Sequence, residues 1–267
     1  MCLHLKQKPK KQEYLEIQGQ TKKLIHQKKR LSYLKYLKTG PEKLMKKNKI
    51  FIACDSKNIN LVKKIINKTQ NSKLQIGYKF GLEFLNSKDG RNFISKIKNK
   101  VTFGDYKIAD IPNTCASTIK AVSDLNFNYL TIHINSGLEA LKAAKKVSGK
   151  TKLVGVTVLT SLDDKALKEI GFGKKVKQIV LNQAKLANKA KLDAIVCSAK
   201  EVSIVRKVFK KEIITPGIRF DSKKNDQKRV QTPKQAYRNG SDWLVIGRPI
   251  TKGNIKNNLQ SLINHLK

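Results

Sequence analysis

From Met45 onward, short apolar runs alternate with longer, helix-like segments. The runs predict strands at Ile50–Asp55, Leu74–Lys79, Val101–Lys107, Tyr129–Ile134, Leu153–Val158, Ala194–Ser198, Ile213–Thr215 and Trp243–Ile246. The intervals predict helices over Asn58–Lys68, Thr114–Asn126, Gly137–Ser148, Val176–Lys189, Ala199–Phe209 and Thr232–Asn239. Near-continuous β-branched runs mark strands covered on both faces, as in a parallel sheet. Strand and helix in turn mean right-handed βαβ units. Eight such units in roughly 220 residues predict an α/β chain closed into a (β/α)8 TIM barrel. A doubly wound open sheet would need a glycine-rich turn after the first strand. The chain instead reads DSKNIN from Asp55.

Residues 1–44 break this pattern. They hold twelve Lys/Arg against three Asp/Glu, and Thr21 to Leu37 has the spacing of a basic amphipathic helix. A transit peptide would be rich in arginine and serine, whereas this stretch has one of each. Met45 stands directly before the first strand, so translation is expected to begin there. Residues 1–44 are then a dispensable or untranslated extension, and 45–267 form the (β/α)8 domain.

The chain of 267 residues has 57 Lys+Arg against 19 Asp+Glu, a formal charge of +38. Such an excess ordinarily points to a polyanion partner. Here lysine is spread over almost every segment together with asparagine and isoleucine, as an AT-rich coding sequence produces. The basic residues form no aromatic-interleaved patch and no nucleic-acid motif. Specific nucleic-acid binding is therefore not expected. No apolar stretch reaches the ~18 residues of a membrane span, and a cytoplasmic protein is expected. The four cysteines, Cys2, Cys54, Cys115 and Cys197, form no CxxC pair. The last three lie in apolar or small-residue runs and read as core thiols.

In such a barrel, functional side chains gather at the C-terminal ends of the strands. Polar residues at those ends are Asp55, Lys79, Asp105, Lys107, Asp110, His133, Thr160, Arg219 and Arg248. Asp105 and Lys107 are two apart, which on a regular strand puts both on one face. Asp110 follows in the turn before Pro112. With Lys79 from the neighbouring strand they make two cations and two anions, a set whose members can offset one another's burial. The loops after strands seven and eight, TPGIRF and VIGRPI, carry Gly217, Arg219, Gly247 and Arg248. Glycines let backbone N–H groups approach an anion, and arginine forks add charge, so a phosphate site is expected there. Asp55 reads either as a ligand group or as a helix N-cap. His133, alone in the strands, reads as a packing or supporting residue.

The run FGDYKIADIPNT closely resembles the orotidine 5′-phosphate decarboxylase family. Its motif D-x-K-x-x-D-I-P-N-T stands intact from Asp105 through Lys107 and Asp110 to Thr114. The resemblance runs from Ile50 to about Lys252 through ACD, YKFG, HINSG, TVLTS, VCSA, TPGIR, DQKR and VIGRP. It implies a cofactor-free, metal-free decarboxylation of orotidine 5′-phosphate to uridine 5′-phosphate and CO2. Lys107 is then the proton donor to C6, Asp105 the neighbour of the leaving carboxylate, and Lys79 the holder of Asp105 and the ribose. Asp55 is implied as a ribose contact and Thr160 as a base contact, with Ser161 one residue away as the alternative. Gln227 reaches the phosphate from a lid spanning Phe220 to Gln231, Arg229 supports it, and Arg219, Gly247 and Arg248 grip the same group. Asp110 and Thr114 are implied to enter the site of a second subunit, making a homodimer. Phe220 stands where the family more commonly has proline. Two rivals remain: a magnesium-dependent phosphosugar decarboxylase or aldolase sharing the D-x-K strand, and a basic nucleic-acid-binding protein on an inactive barrel.

Overall fold

The computed structural model describes residues 48–220 and 231–267, together with Gln27. The chain divides into two units, Met1–Met45 and Lys46–Lys267. The amphipathic helix expected over Thr21–Leu37, apart from Gln27, lies outside the described residues, as do Gln227 and Arg229.

Eight parallel strands close into a barrel in sequence order: β1 Lys49–Ala53, β2 Gln75–Phe80, β3 Val101–Ile108, β4 Tyr129–His133, β5 Lys152–Val156, β6 Ala194–Val196, β7 Glu212–Thr215 and β8 Trp243–Ile246. Closure comes from β1 against β8, where Lys49 pairs with Trp243 and Ile52 with Ile246. The expected α/β barrel is thus observed, with strand ends shifted by a residue or two. Strand one, for instance, stops at Ala53, leaving Asp55 two residues beyond it.

Helices return the chain between strands: α1 Ile59–Thr69, α2 Leu82–Leu85, α3 Gly90–Ser95, α4 Pro112–Ala121, α5 Gly137–Val147, α6 Asp164–Glu169, α7 Val176–Lys189, α8 Val202–Val208, α9 Pro233–Arg238, α10 Arg248–Thr251 and α11 Ile255–Leu266. Their starts follow capping chemistry. Asn58, Asp163, Thr232 and Asn254 each accept a hydrogen bond from a backbone N–H of the first turn. Pro112 and Pro233 stand at the first helical position, where no N–H is needed. The expected helix Thr114–Asn126 divides into α4 and a 3-10 turn at Ser123–Leu125. Helices α2, α3, α6, α10 and α11 lie outside the helix ranges named from the sequence; four of them have only four to six residues, too few for a periodic signal.

The barrel floor is aromatic. Phe51 stacks on Trp243 with ring centroids 4.1 Å apart, and Phe103 and Tyr129 lie 5.0 and 5.3 Å from Phe51. All four rings are buried, each contributing about 2–3 kcal/mol of apolar burial. The cluster requires Gly77 on β2, because a Cβ there would stand 2.6 Å from the Phe51 ring. At its edge Tyr129 donates to Glu212 Oε2 at 2.8 Å, and Lys152 Nζ meets the same oxygen at 3.0 Å. This packed floor closes one end, so the open space lies at the other. Cys54, Cys115 and Cys197 are buried and not joined in a disulfide. Among the described residues no helix is long and apolar enough to cross a membrane.

Candidate active site

A cavity of about 420 Å³ opens at the C-terminal ends of the strands. Asp55, Lys79, Asp105, Lys107, Thr160, Arg219, Gly247 and Arg248 line it. These residues come from six different strands or the loops following them, so only closure of the barrel brings them together.

Lys79, on β2, is the hub. Its Nζ donates to Asp55 at 3.0 and 3.2 Å and to Asp105 Oδ2 at 3.2 Å. Lys107 Nζ donates to the same Asp105 oxygen at 2.8 Å. The order is therefore Asp55–Lys79–Asp105–Lys107, anion and cation in turn. Lys79 and Asp105 are buried, whereas the side chains of Asp55 and Lys107 are 46% and 33% exposed. The buried members are thus paired internally and the outer two face the cavity. Burial opposes the charge on Lys79, but the Asp105 and Asp55 carboxylates outweigh it and raise the pKa. Burial likewise opposes the Asp105 anion, and the Lys79 and Lys107 ammoniums outweigh it, lowering that pKa.

Asp55 was open to two readings, site group or helix cap. The cap of α1 is Asn58, whose side chain accepts from Leu61 N–H, and Asp55 pairs with Lys79. The fourth charge of the array within one chain is therefore Asp55 and not Asp110. Asp110 and Thr114 are exposed and do not line the cavity. Asp110 Oδ1 accepts the Ile111 N–H at 2.7 Å, and Ile111 beside it is 66% exposed.

Asp105 and Lys107 meet as expected, but not through simple alternation. Pairing of β3 with β4 shifts between Gly104 and Ile108, a bulge spanning both charged residues. Lys107 takes φ 51°, a left-handed conformation that costs a non-glycine residue about 1–2 kcal/mol. Backbone strain of this kind persists where surrounding contacts hold it.

In the loops after β7 and β8, Gly217 has φ 77°, and a Cβ on Gly247 would stand 3.4 Å from Ala53 Cβ on the neighbouring β1. Arg219 is buried, its guanidinium donating to the Ile218 carbonyl at 2.9 Å, and Arg248 begins the short helix after β8. The two edges of the segment 221–230 are joined: Arg219 N–H donates to the Gln231 carbonyl, and Gln231 N–H to that of Gly217. Thr160, and not the neighbouring Ser161, lines the cavity.

His133 ends β4 half-buried, outside the lining. Burial lowers its pKa, assisted by Lys107 and opposed by Asp105. Two residues escaped the sequence reading. Gly81 leaves room for Asp55, and Thr131 bonds both Asp105 and Lys107. Gly81 had a weak signal, as the residue closing YKFG; Thr131 had none beyond its place two residues before His133. Among the described residues no group of three His, Cys, Asp or Glu side chains could hold a metal ion.

Comparison with known proteins identifies a family. The chain is 43% identical over 222 residues to the orotidine 5′-phosphate decarboxylase of Wolbachia sp. subsp. Brugia malayi, covering 81% of this chain and 97% of that protein. It is 44% identical over 215 residues to the enzyme of the same name from Ehrlichia chaffeensis, covering 76% and 90%. Among solved structures, the orotidine 5′-phosphate decarboxylase of Lactobacillus acidophilus superposes with a TM-score of 0.70 at 29% identity, covering 82% of this chain and 99% of that one. The model of the orotidine 5′-phosphate decarboxylase / HUMPS family matches residues 48–258. With a closed barrel, a charged array at its mouth and a family match over most of its length, the chain belongs to the orotidine 5′-phosphate decarboxylase / HUMPS family.

Proposed function

We propose that this protein decarboxylates orotidine 5′-phosphate to uridine 5′-phosphate and CO2, with Lys107 as proton donor. The carrying observation is the cavity itself: Lys107, Asp105 and Lys79 stand in one wall, and Arg219, Gly217, Gly247 and Arg248 in another. A nucleotide with a carboxylate at one end and a phosphate at the other matches that division.

In this reading the phosphate is held by the two arginines and by backbone N–H groups near Gly217 and Gly247. Gln227, which the family resemblance implies as a further phosphate contact, lies outside the described residues. Asp55 accepts from ribose hydroxyls, and Thr160 contacts the base. The C6 carboxylate then lies beside Asp105. As the bond from C6 to the carboxylate breaks, its electron pair stays on C6 and CO2 departs. The Lys107 ammonium meets the developing carbanion and transfers a proton to C6. A fixed cation at the point where negative charge develops stabilises the transition state more than the ground state. Carboxylate against carboxylate at Asp105 acts on the ground state in the same direction. Remote phosphate binding supplies energy that organises the reacting end.

Asp110, Ile111 and Thr114 are exposed together at the rim, which supports a homodimer in which Asp110 and Thr114 complete the partner subunit's site. Residues 1–44 are read as an extension outside the decarboxylase domain, since the family match begins at residue 48. The reaction is placed in the cytoplasm and needs no added cofactor.

The deciding experiment follows loss of orotidine 5′-phosphate absorbance with purified protein in EDTA, beside a Lys107→Ala variant. Turnover that survives EDTA and collapses in the variant is expected. A folded protein that turns over only with added magnesium, or only a phosphosugar, would assign it to the metal-dependent barrel enzymes instead.

A further inference from the structure

The strands bearing the charged array do not pair evenly. Gly104 pairs with Leu130 and Ile108 with Ile132, so three residues of β3 stand opposite the single residue Thr131 of β4. The three are Asp105, Tyr106 and Lys107, two more than β4 supplies, and the left-handed backbone of Lys107 lies among them. A bulge takes backbone groups out of the ladder, and those groups need partners from elsewhere.

Thr131 supplies one. Its Oγ1 accepts the Lys107 N–H at 2.7 Å and donates to Asp105 Oδ1 at 3.2 Å. A hydroxyl has one proton and two lone pairs, so both bonds can be made at once. Thr131 is fully buried, so water does not compete for either. Asp105 Oδ2 meanwhile receives Lys79 and Lys107. The result is a closed ring: the Lys107 main chain is tied to Thr131, Thr131 to one oxygen of Asp105, and the other oxygen back to the Lys107 ammonium. With one oxygen held from β4, the carboxylate cannot turn about its Cβ–Cγ bond without breaking the ring.

We propose that Thr131 is a positioning residue for the reaction, its hydroxyl fixing where the Lys107 ammonium and the Asp105 carboxylate stand relative to each other and to the substrate. Thr131 does not line the cavity and acts through these two residues alone. The inference rests on the reading of Lys107 and Asp105 as the reacting pair.

Valine keeps the threonine shape and removes both bonds, while serine keeps the hydroxyl. In Thr131→Val, kcat is expected to fall on the order of 10²-fold, the cost of a small misplacement of catalytic groups. KM should stay within about threefold, because the phosphate and ribose contacts are untouched. Thr131→Ser should restore kcat to within about fivefold of wild type, which a loss of packing alone would not allow. Independently of turnover, the Lys107 amide should lose protection from hydrogen exchange in the valine variant and keep it in the serine variant. If Thr131→Val does not fold, Thr131→Ala carries the same expectations. Wild-type kcat in a folded valine or alanine variant, or a folded serine variant as slow as the valine one, would overturn the inference. An unchanged Lys107 amide in the valine variant would do so as well. An inactive wild-type protein would instead strike at the assignment of the reaction, and the amide measurement would still decide the Thr131 ring.

Discussion

Gly81 leaves the space that the Asp55 carboxylate occupies: a Cβ on Gly81 would stand 2.2 Å from Asp55 Oδ1 and 3.2 Å from Lys79 Nζ. The glycine is there for room and not for backbone freedom, since its φ of −90° and ψ of 179° suit any residue. Gly81→Ala should therefore fold, with a stability change of about 1 kcal/mol or less because Asp55 can swing toward solvent. Turned away, Asp55 loses Lys79 and, in the proposed reading, the ribose, and kcat/KM should fall on the order of tenfold, the loss of a charge-assisted hydrogen bond. Steady-state kinetics beside a thermal melt checks both parts. Full activity would mean that Asp55 does not hold substrate.

Lys107→Ala removes the cation facing the cavity while leaving the buried Lys79–Asp105 pair in place. The expected loss in kcat is about 10³-fold or more, combining a general acid with electrostatic stabilisation. Binding of the product nucleotide should change much less. A variant that retains most of its kcat would assign proton delivery to another group.

Arg248→Ala should act chiefly on KM. Loss of one charged donor to a phosphate is worth about 1.5–3 kcal/mol, or roughly 10- to 100-fold in binding. The discriminating measurement repeats the assay with the nucleoside lacking its phosphate. Wild type and variant should then become nearly equal, and a difference that persists would place Arg248 away from the phosphate.

The paired charges also make stability depend on pH. Asp105 has a folded pKa below its ordinary value, because Lys79 and Lys107 outweigh burial. Its contribution is fully present above the unfolded pKa of about 4 and is lost as pH falls through the lower folded value. Lys79 has a folded pKa above its ordinary value, as Asp105 and Asp55 outweigh burial. Its contribution is fully present below about pH 10.4 and is lost as pH rises through the higher folded value. Urea midpoints measured from pH 2 to 7 should fall at the acid end in wild type and fall less steeply in Asp105→Asn. Equal slopes in the two proteins would show that Asp105 gains nothing from its partners on folding.

The barrel could be read from the chain because its signals are local. A strand buried on both faces needs a continuous apolar run wherever it stands, and Ile50–Ala53 or Trp243–Ile246 shows that without its neighbours. The same locality makes Asp105 and Lys107 visible as a pair, and Gly217, Arg219, Gly247 and Arg248 as two loops with matching chemistry. Partnership was not local. That Lys79 joins Asp55 to Asp105 follows from β2 lying between β1 and β3, and that Asp110 stands apart follows from the turn before α4. The bulge at Lys107 and the hydroxyl of Thr131 exist only because β3 carries two more residues than β4 across the same interval. A residue count between pairing positions is a property of two strands together, and no pattern within either strand records it. The sequence by itself thus determined the fold and the types of chemical group at its mouth. The tertiary structure decided which charge neutralises which, because electrostatic and hydrogen-bonded partners are set by distances of a few ångströms across strands far apart in the chain.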